Sequence, residues 1–212
     1  VGNSVADALN DAALRAGDTD IFEQFPVLSD GDFVRFCVHR RENCISAARF
    51  VPIFRAAEHL LKSGRNVLWI SLFQTEAAID RFDLRSELDA LKKRFASSFV
   101  YSSVWPKYTD VVAAMMRCSV CATDSGSMQE EMNVLGVPCV TLRFGSDRSE
   151  SAMAGGNIIA PPVDADLITN AISYAWKNDA MRKAPKLYGE NVSAKCIDVV
   201  EKVLVKGNIF RG

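Results

Sequence analysis

The chain has 212 residues, of which 49% are apolar and 24% charged, and a formal net charge of −1. That is room for one large domain or a cramped pair, in a mixture that excludes wholesale disorder. Lys and Arg (25) nearly cancel Asp and Glu (26), so the footprint of a general nucleic-acid binder is missing, and no apolar run approaches the roughly 18 residues of a membrane span.

The sequence begins with Val1 rather than Met, which reads as a fragment or a processed product. Val1-Gly2-Asn3-Ser4 has neither the basic nor the apolar stretch of a signal peptide. A peripheral helix is expected within residues 1–16, then a polar Gly/Asp-rich linker at 17–32. Short β-branched or aromatic runs follow at 33–38, 66–70, 98–101, 118–122, 138–142 and 157–160. Most are nearly continuous in apolar character, as strands buried on both faces are. Helical patterns separate them at 47–63, 76–94, 108–117, 127–136 and 164–178, and a last one lies at 193–206. Ser63-Gly64 and Gly136 stand where helices should stop, and Pro138 opens the next strand. Six strands alternating with helices predict an α/β fold with a doubly wound, Rossmann-like parallel sheet. The division is a single domain over 1–212, with its core at 33–205 and a loose tail at 206–212.

Of the six cysteines, Cys37, Cys118, Cys121 and Cys139 lie in or beside apolar runs. They read as reduced core thiols, which implies the cytoplasm. Cys118-x-x-Cys121 has no second pair at ligand spacing and no neighbouring His, so no metal site is expected.

Three stretches follow strands and suit an anion. In Thr123-Asp124-Ser125-Gly126-Ser127-Met128-Gln129-Glu130-Glu131 a buried strand runs through small polar residues into a helix. Ligands of open parallel sheets bind beyond the carboxyl ends of strands, and a helix start offers free N–H groups and a partial positive charge. Gly126 lets an anion approach and Ser125 adds a hydroxyl, which suits phosphate or pyrophosphate. The same residues also fit an ordinary cap, with Ser127 and Glu130 as a capping box. Glu131, about 6 Å further along the helix, repels phosphate but can accept ribose hydroxyls; a solvated carboxylate is the alternative. The second stretch is Val38-His39-Arg40-Arg41-Glu42-Asn43, where His39 can donate or shuttle protons and Arg40 and Arg41 can pair with phosphate. The third, Arg143 to Glu150, adds Arg143 and Arg148 at the same sheet edge.

Together these motifs resemble the C-terminal half of a UDP-N-acetylglucosamine 2-epimerase. The resemblance rests on Gly2-Asn3 with Asp7-Ala8-Leu9, His39 to Asn43, Thr123 to Glu131, Leu135 to Arg143, Asp147-Arg148-Ser149-Glu150 and Tyr188-Gly189, in family order over nearly the whole chain. It implies one half of a two-domain, GT-B-like enzyme with its active site between the halves. His39 would meet the diphosphate near the reacting sugar as the catalytic residue of this half. Arg40, Ser125, Gly126, Ser127, Glu131, Arg143 and Arg148 would bind the nucleotide, with Ser125 and Gly126 on phosphate and Glu131 on ribose.

The implied chemistry is anti elimination of UDP to a 2-acetamidoglucal and re-addition with inverted C2, or the hydrolysing variant, without metal or cofactor. The acid and base carboxylates belong to the N-terminal half, which this sequence does not include. Expected partners are a UDP-sugar, the N-terminal domain and, as an open alternative, a second copy; neither nucleic acid nor membrane is among them. The expected role is an isomerase in cell-surface polysaccharide biosynthesis, inactive as the isolated fragment. Departures from the family pattern stand at Val38, Ser127 and Ser149, at Ile70 to Thr75 where the family carries a His, and at Val111, whose aromatic role Tyr108 is a candidate to fill. They keep two alternatives open: a non-catalytic nucleotide-sugar binding module, or half of another GT-B glycosyltransferase.

Overall fold

A computed structural model describes residues 1–206; of the expected tail at 206–212, Lys206 instead ends a helix and 207–212 lie outside the described residues. The strands are β1 (Phe33–Cys37), β2 (Asn66–Ser71), β3 (Phe99–Ser103), β4 (Val120–Thr123), β5 (Cys139–Thr141) and β6 (Asn157–Ile159). They form one parallel sheet in the order β3-β2-β1-β4-β5-β6. The helices are α1 (Val5–Arg15), α2 (Ile21–Gln24), α3 (Arg41–Cys44), α4 (Ala47–Lys62), α5 (Phe73–Arg81), α6 (Arg85–Arg94), α7 (Tyr108–Arg117), α8 (Gly126–Leu135), α9 (Ser149–Met153), α10 (Ala165–Lys177), α11 (Asp179–Arg182) and α12 (Val192–Lys206). The expected α/β, doubly wound architecture is the one observed. Strand order reverses between β1 and β4, so the chain leaves these two neighbours in opposite directions and opens a crevice beyond their carboxyl ends.

Strand alternation sends side chains into two cores. Val34, Phe36, Val67 and Trp69 face a layer with Phe50, Phe54, Leu61, Ile79 and Ile172. Phe33, Leu68, Ile70 and Cys121 face another with Leu9, Val112, Met115 and Met132. Trp69, 1% exposed, stacks on Phe36 with centroids 5.3 Å apart. Full burial of each such side chain contributes about 1.5–3 kcal/mol, which is why strands this short stay fixed.

Besides short helices at Arg41–Cys44, Ser149–Met153 and Asp179–Arg182 that the sequence reading did not expect, three differences bear on the packing. The helical run at 76–94 is two helices, broken where Asp83 takes a left-handed conformation (φ 55°). An Asp tolerates that region better than most side chains, and the break lets Phe82 and Leu84 reach the same apolar layer as Ile79. Residues 17–32 contain α2 and two 3-10 turns, at Ala16–Asp18 and Pro26–Leu28, because Ile21 and Leu28 are buried. The helix near the N-terminus carries a buried face, Ala6, Leu9 and Ala12, within the second core.

That segment is tied to the other end of the fold. Asn3 donates its backbone N–H to the Tyr188 carbonyl at 2.9 Å. A side chain at Gly2 would meet that carbonyl at 2.4 Å, and Gly2 has φ 108°, so only glycine fits the turn.

Candidate functional site

The crevice between β1 and β4 is built around a carboxylate. Asp124 is fully buried directly after β4. Its Oδ1 accepts the His39 backbone N–H at 3.0 Å, and its Oδ2 accepts the Arg40 backbone N–H at 2.9 Å and the Asn43 amide at 3.0 Å. Asn43 also donates to the Leu142 carbonyl at 3.0 Å, so one buried amide joins the loops after β1, β4 and β5. The Thr123 hydroxyl donates to the Cys37 carbonyl at 2.7 Å, and that of Thr75 to the Val38 carbonyl at 2.6 Å. These bonds satisfy strand ends that would otherwise be buried without partners. Val38 is itself fully buried in the first core, so this departure from the family motif leaves the crevice open.

His39 and Arg40 are thereby presented at the rim, half-buried. The His39 Nδ1 lies 3.7 Å from Asp124 Oδ1. Across the crevice Ser125 caps α8, its hydroxyl accepting the Met128 N–H at 3.5 Å. Ser127, read as one end of a capping box, is instead exposed inside the helix, its hydroxyl 3.1 Å from that of Ser125. The other end, Glu130, is buried and turned away, accepting Asn3 at 2.8 Å and pairing with Arg148. The capping-box reading therefore gives way to a cap at Ser125.

Over Gly126 stands a charged cluster. A Cβ there would lie 3.5 Å from the Arg40 guanidinium and 3.6 Å from both Asp147 carboxylate oxygens. Asp147 pairs with Arg143 at 2.6 Å, Arg40 at 3.4 Å and Arg148 at 4.0 Å. Partial burial opposes its charge, but the Arg143 hydrogen bond and the fields of Arg143 and Arg40 prevail and hold its carboxyl below the usual range. Arg143 also grips Glu42 at 2.8 Å. An anion thus already sits at the positive end of α8, ringed by three arginines. A cleft of about 500 Å³ beside it is lined by Glu42, Arg49, Arg143, Phe144, Ser146 and Asp147.

Glu131 lies half-buried nearly two turns beyond the Ser125 cap and accepts the Tyr108 hydroxyl at 3.2 Å. Burial pushes its carboxyl up, against the Tyr108 hydrogen bond and the charge of Arg35.

The structure therefore brings His39, Arg40, Ser125, Gly126, Ser127, Glu131, Arg143 and Arg148 to one sheet edge. Reading the sequence missed the frame beneath them: Asp124, Asn43, Thr123 and Gln129. Gln129 is buried and holds the Ser125 carbonyl at 3.1 Å and the Asn157 amide at 3.1 Å. The available signal was a carboxylate placed directly after a buried strand, which needs donors from a neighbouring loop.

Such a sheet, with a helix start and cations at its switch point, defines a doubly wound α/β domain with a ligand crevice at the strand ends. The family model for UDP-N-acetylglucosamine 2-epimerase matches residues 1–201, and the chain belongs to that family. A UDP-N-acetylglucosamine 2-epimerase of Methanocaldococcus jannaschii is 27% identical over 163 residues, covering 75% of this chain and 43% of the relative. A UDP-2,3-diacetamido-2,3-dideoxy-D-glucuronate 2-epimerase of Pseudomonas aeruginosa is 24% identical over 156 residues, 74% of this chain and 40% of the relative. The crystal structure of the M. jannaschii UDP-GlcNAc 2-epimerase in complex with UDP-GlcNAc and UDP superposes with a TM-score of 0.80 at 23% identity, over 95% of this chain and 54% of that one. The chain thus spans about half the length of the relatives it matches. Among the described residues no helix is long and apolar enough to cross a membrane.

Proposed function

We propose that this chain is the UDP-binding half of a UDP-HexNAc 2-epimerase, an isomerase that interconverts UDP-GlcNAc and UDP-ManNAc by elimination and re-addition of UDP, or of its hydrolysing variant. The observation that carries the reading is the meeting of the three anion-suited loops over the start of α8, at the switch point of the sheet. The α8 N–H groups with Ser125 and Gly126 receive the diphosphate, while Arg40, Arg143 and Arg148 balance its charge and Ser127 faces it from the first turn. Glu131 accepts the ribose hydroxyls. His39 stands at the rim within reach of the diphosphate and of the sugar beyond it. The groups that move the sugar's protons come from the other half of the protein, across the crevice. A cytoplasmic setting fits the free thiols Cys37, Cys44, Cys118, Cys121 and Cys139, all buried. Supply of an amino sugar for cell-surface polysaccharide follows from the sugar class.

Chemical-shift mapping of the labelled chain with UDP tests the site. The expected result is perturbation of Ser125, Gly126 and Glu131. Shifts confined to the opposite sheet edge would sink the placement.

A further inference from the structure

Arg35, in the middle of β1, is only 3% exposed, and its Nε is buried without a hydrogen-bond partner. It points into the second core, among Cys37, Cys118 and Cys121, and its Nη1 lies 3.1 Å from the sulfur of Met128 on α8. A buried guanidinium is costly unless an anion balances it. The thiols do not: burial raises all three, Cys121 to about 12, so they stay protonated. Asp124 is occupied by His39, Arg40 and Asn43, and Glu130 by Asn3 and Arg148. Met128 and Glu131 are three residues apart on α8 and so neighbours on its surface, and the charge of Arg35 reaches the Glu131 carboxyl.

We infer that Arg35 is a positioning residue for Glu131: a buried cation beneath α8 whose field keeps that carboxylate ionised and ready to accept ligand hydroxyls, while the Tyr108 hydroxyl fixes its orientation. This rests on the reading of Glu131 as the ribose acceptor. Two neutralising influences act on Glu131, its own burial and the like charge of Glu130. Two oppose them, Tyr108 from α7 and Arg35 from β1. Cys37 and Cys121 are the other titratable groups that feel Glu131, and both stay neutral. An uncharged Glu131 would offer a weaker acceptor, so a ligand site on a half-buried carboxylate needs a fixed positive charge behind it.

The test is a carbon-13 titration of the Glu131 carboxyl in the ligand-free chain, in wild type, R35K and R35M. R35M should move the midpoint up by about one pH unit, while R35K stays close to wild type. In parallel, UDP affinity of R35M should fall as the pH is lowered through that raised midpoint, and pyrophosphate affinity should not follow. Should R35M fail to fold, the wild type decides: the Arg35 Nε–H resonance must titrate with the Glu131 midpoint, and E131Q must abolish that transition. An unchanged midpoint in R35M, or an Arg35 resonance indifferent to Glu131, overturns the inference. UDP that leaves Ser125, Gly126 and Glu131 unperturbed overturns the site reading instead, and the ligand-free titration separates the two failures.

Discussion

The buried carboxylate of Asp124 accepts the backbone N–H of Arg40 at 2.9 Å, across the gap between the loops after β4 and β1. With the His39 N–H and the Asn43 amide on the same carboxylate, it holds the rim of the crevice in place. Asp124→Ala would orphan three donors, each costing about 1–3 kcal/mol when buried, less what entering water recovers. The expected net loss is about 3 kcal/mol, read from urea unfolding. Asp124→Asn should lose less, since one oxygen remains, but its NH₂ faces donors rather than acceptors. A loss in Asp124→Ala of well under about 1 kcal/mol would mean that the loops are held by other contacts.

The sheet was legible because its strands are short, apolar and separated by breakers, and burial on both faces leaves few other places for Phe33 to Cys37 or Val120 to Thr123. What the sequence concealed depends on distance in space. Asp124 and Asn43 are 81 residues apart, and no local pattern reports that they share a hydrogen bond. The break at Asp83 escaped because Leu84, Leu88 and Leu91 keep the helical period on their own. Ser127 and Glu130 have the spacing of a capping box, yet Arg148 and Asn3 compete for Glu130 from outside the helix and win by offering charge-assisted bonds. The residues proposed to face the ligand were readable as candidates, because most stand at or just beyond a strand end or helix start, where their chemistry is local.

Glu131→Ala is expected to weaken UDP more than pyrophosphate. The carboxylate is nearly two turns from the Ser125 cap and of the wrong sign to help a phosphate, so in the proposed site its contribution would be to ribose hydroxyls, each such bond being worth roughly 1.5–3 kcal/mol. Pyrophosphate lacks ribose and should bind equally well or slightly better. Calorimetric titration of both ligands against both proteins reads the difference. Equal losses would return Glu131 to a supporting role in α8.

The same residue carries a stability cost. Burial raises the Glu131 carboxyl above its ordinary range despite Tyr108 and Arg35, so the folded chain binds that proton more readily than the unfolded chain does. The stability this contributes is fully present below the unfolded-state midpoint and is lost as pH rises through the folded one. Glu131→Gln removes that dependence. Urea midpoints of the two proteins should therefore diverge as pH rises from the acid range towards neutrality, with the Gln variant the more stable at pH 7. Parallel curves would show that the carboxylate is fully compensated in the fold.

Asp147 stands over Gly126 where an arriving diphosphate would place its charge, and it engages Arg40, Arg143 and Arg148. A diphosphate bound as proposed at α8 would therefore exchange one anion for another. The Asp147 side chain is 48% exposed, so its pairs are screened and each is worth well under what a buried pair would be. Asp147→Asn keeps the size of the side chain and removes the competing charge. Repulsion between like charges at such a surface distance amounts to about 1 kcal/mol, so pyrophosphate affinity should rise by about threefold to tenfold. The gain should shrink as salt is raised, because the same ions that screen Asp147 in the wild type leave less repulsion to remove. Stability should change little, since Arg143 keeps Glu42 and Arg148 keeps Glu130. Calorimetry with pyrophosphate at low and high salt, on wild type and variant, decides the matter. A weaker ligand in Asp147→Asn would show that the carboxylate organises the three arginines for the phosphate rather than occupying its place.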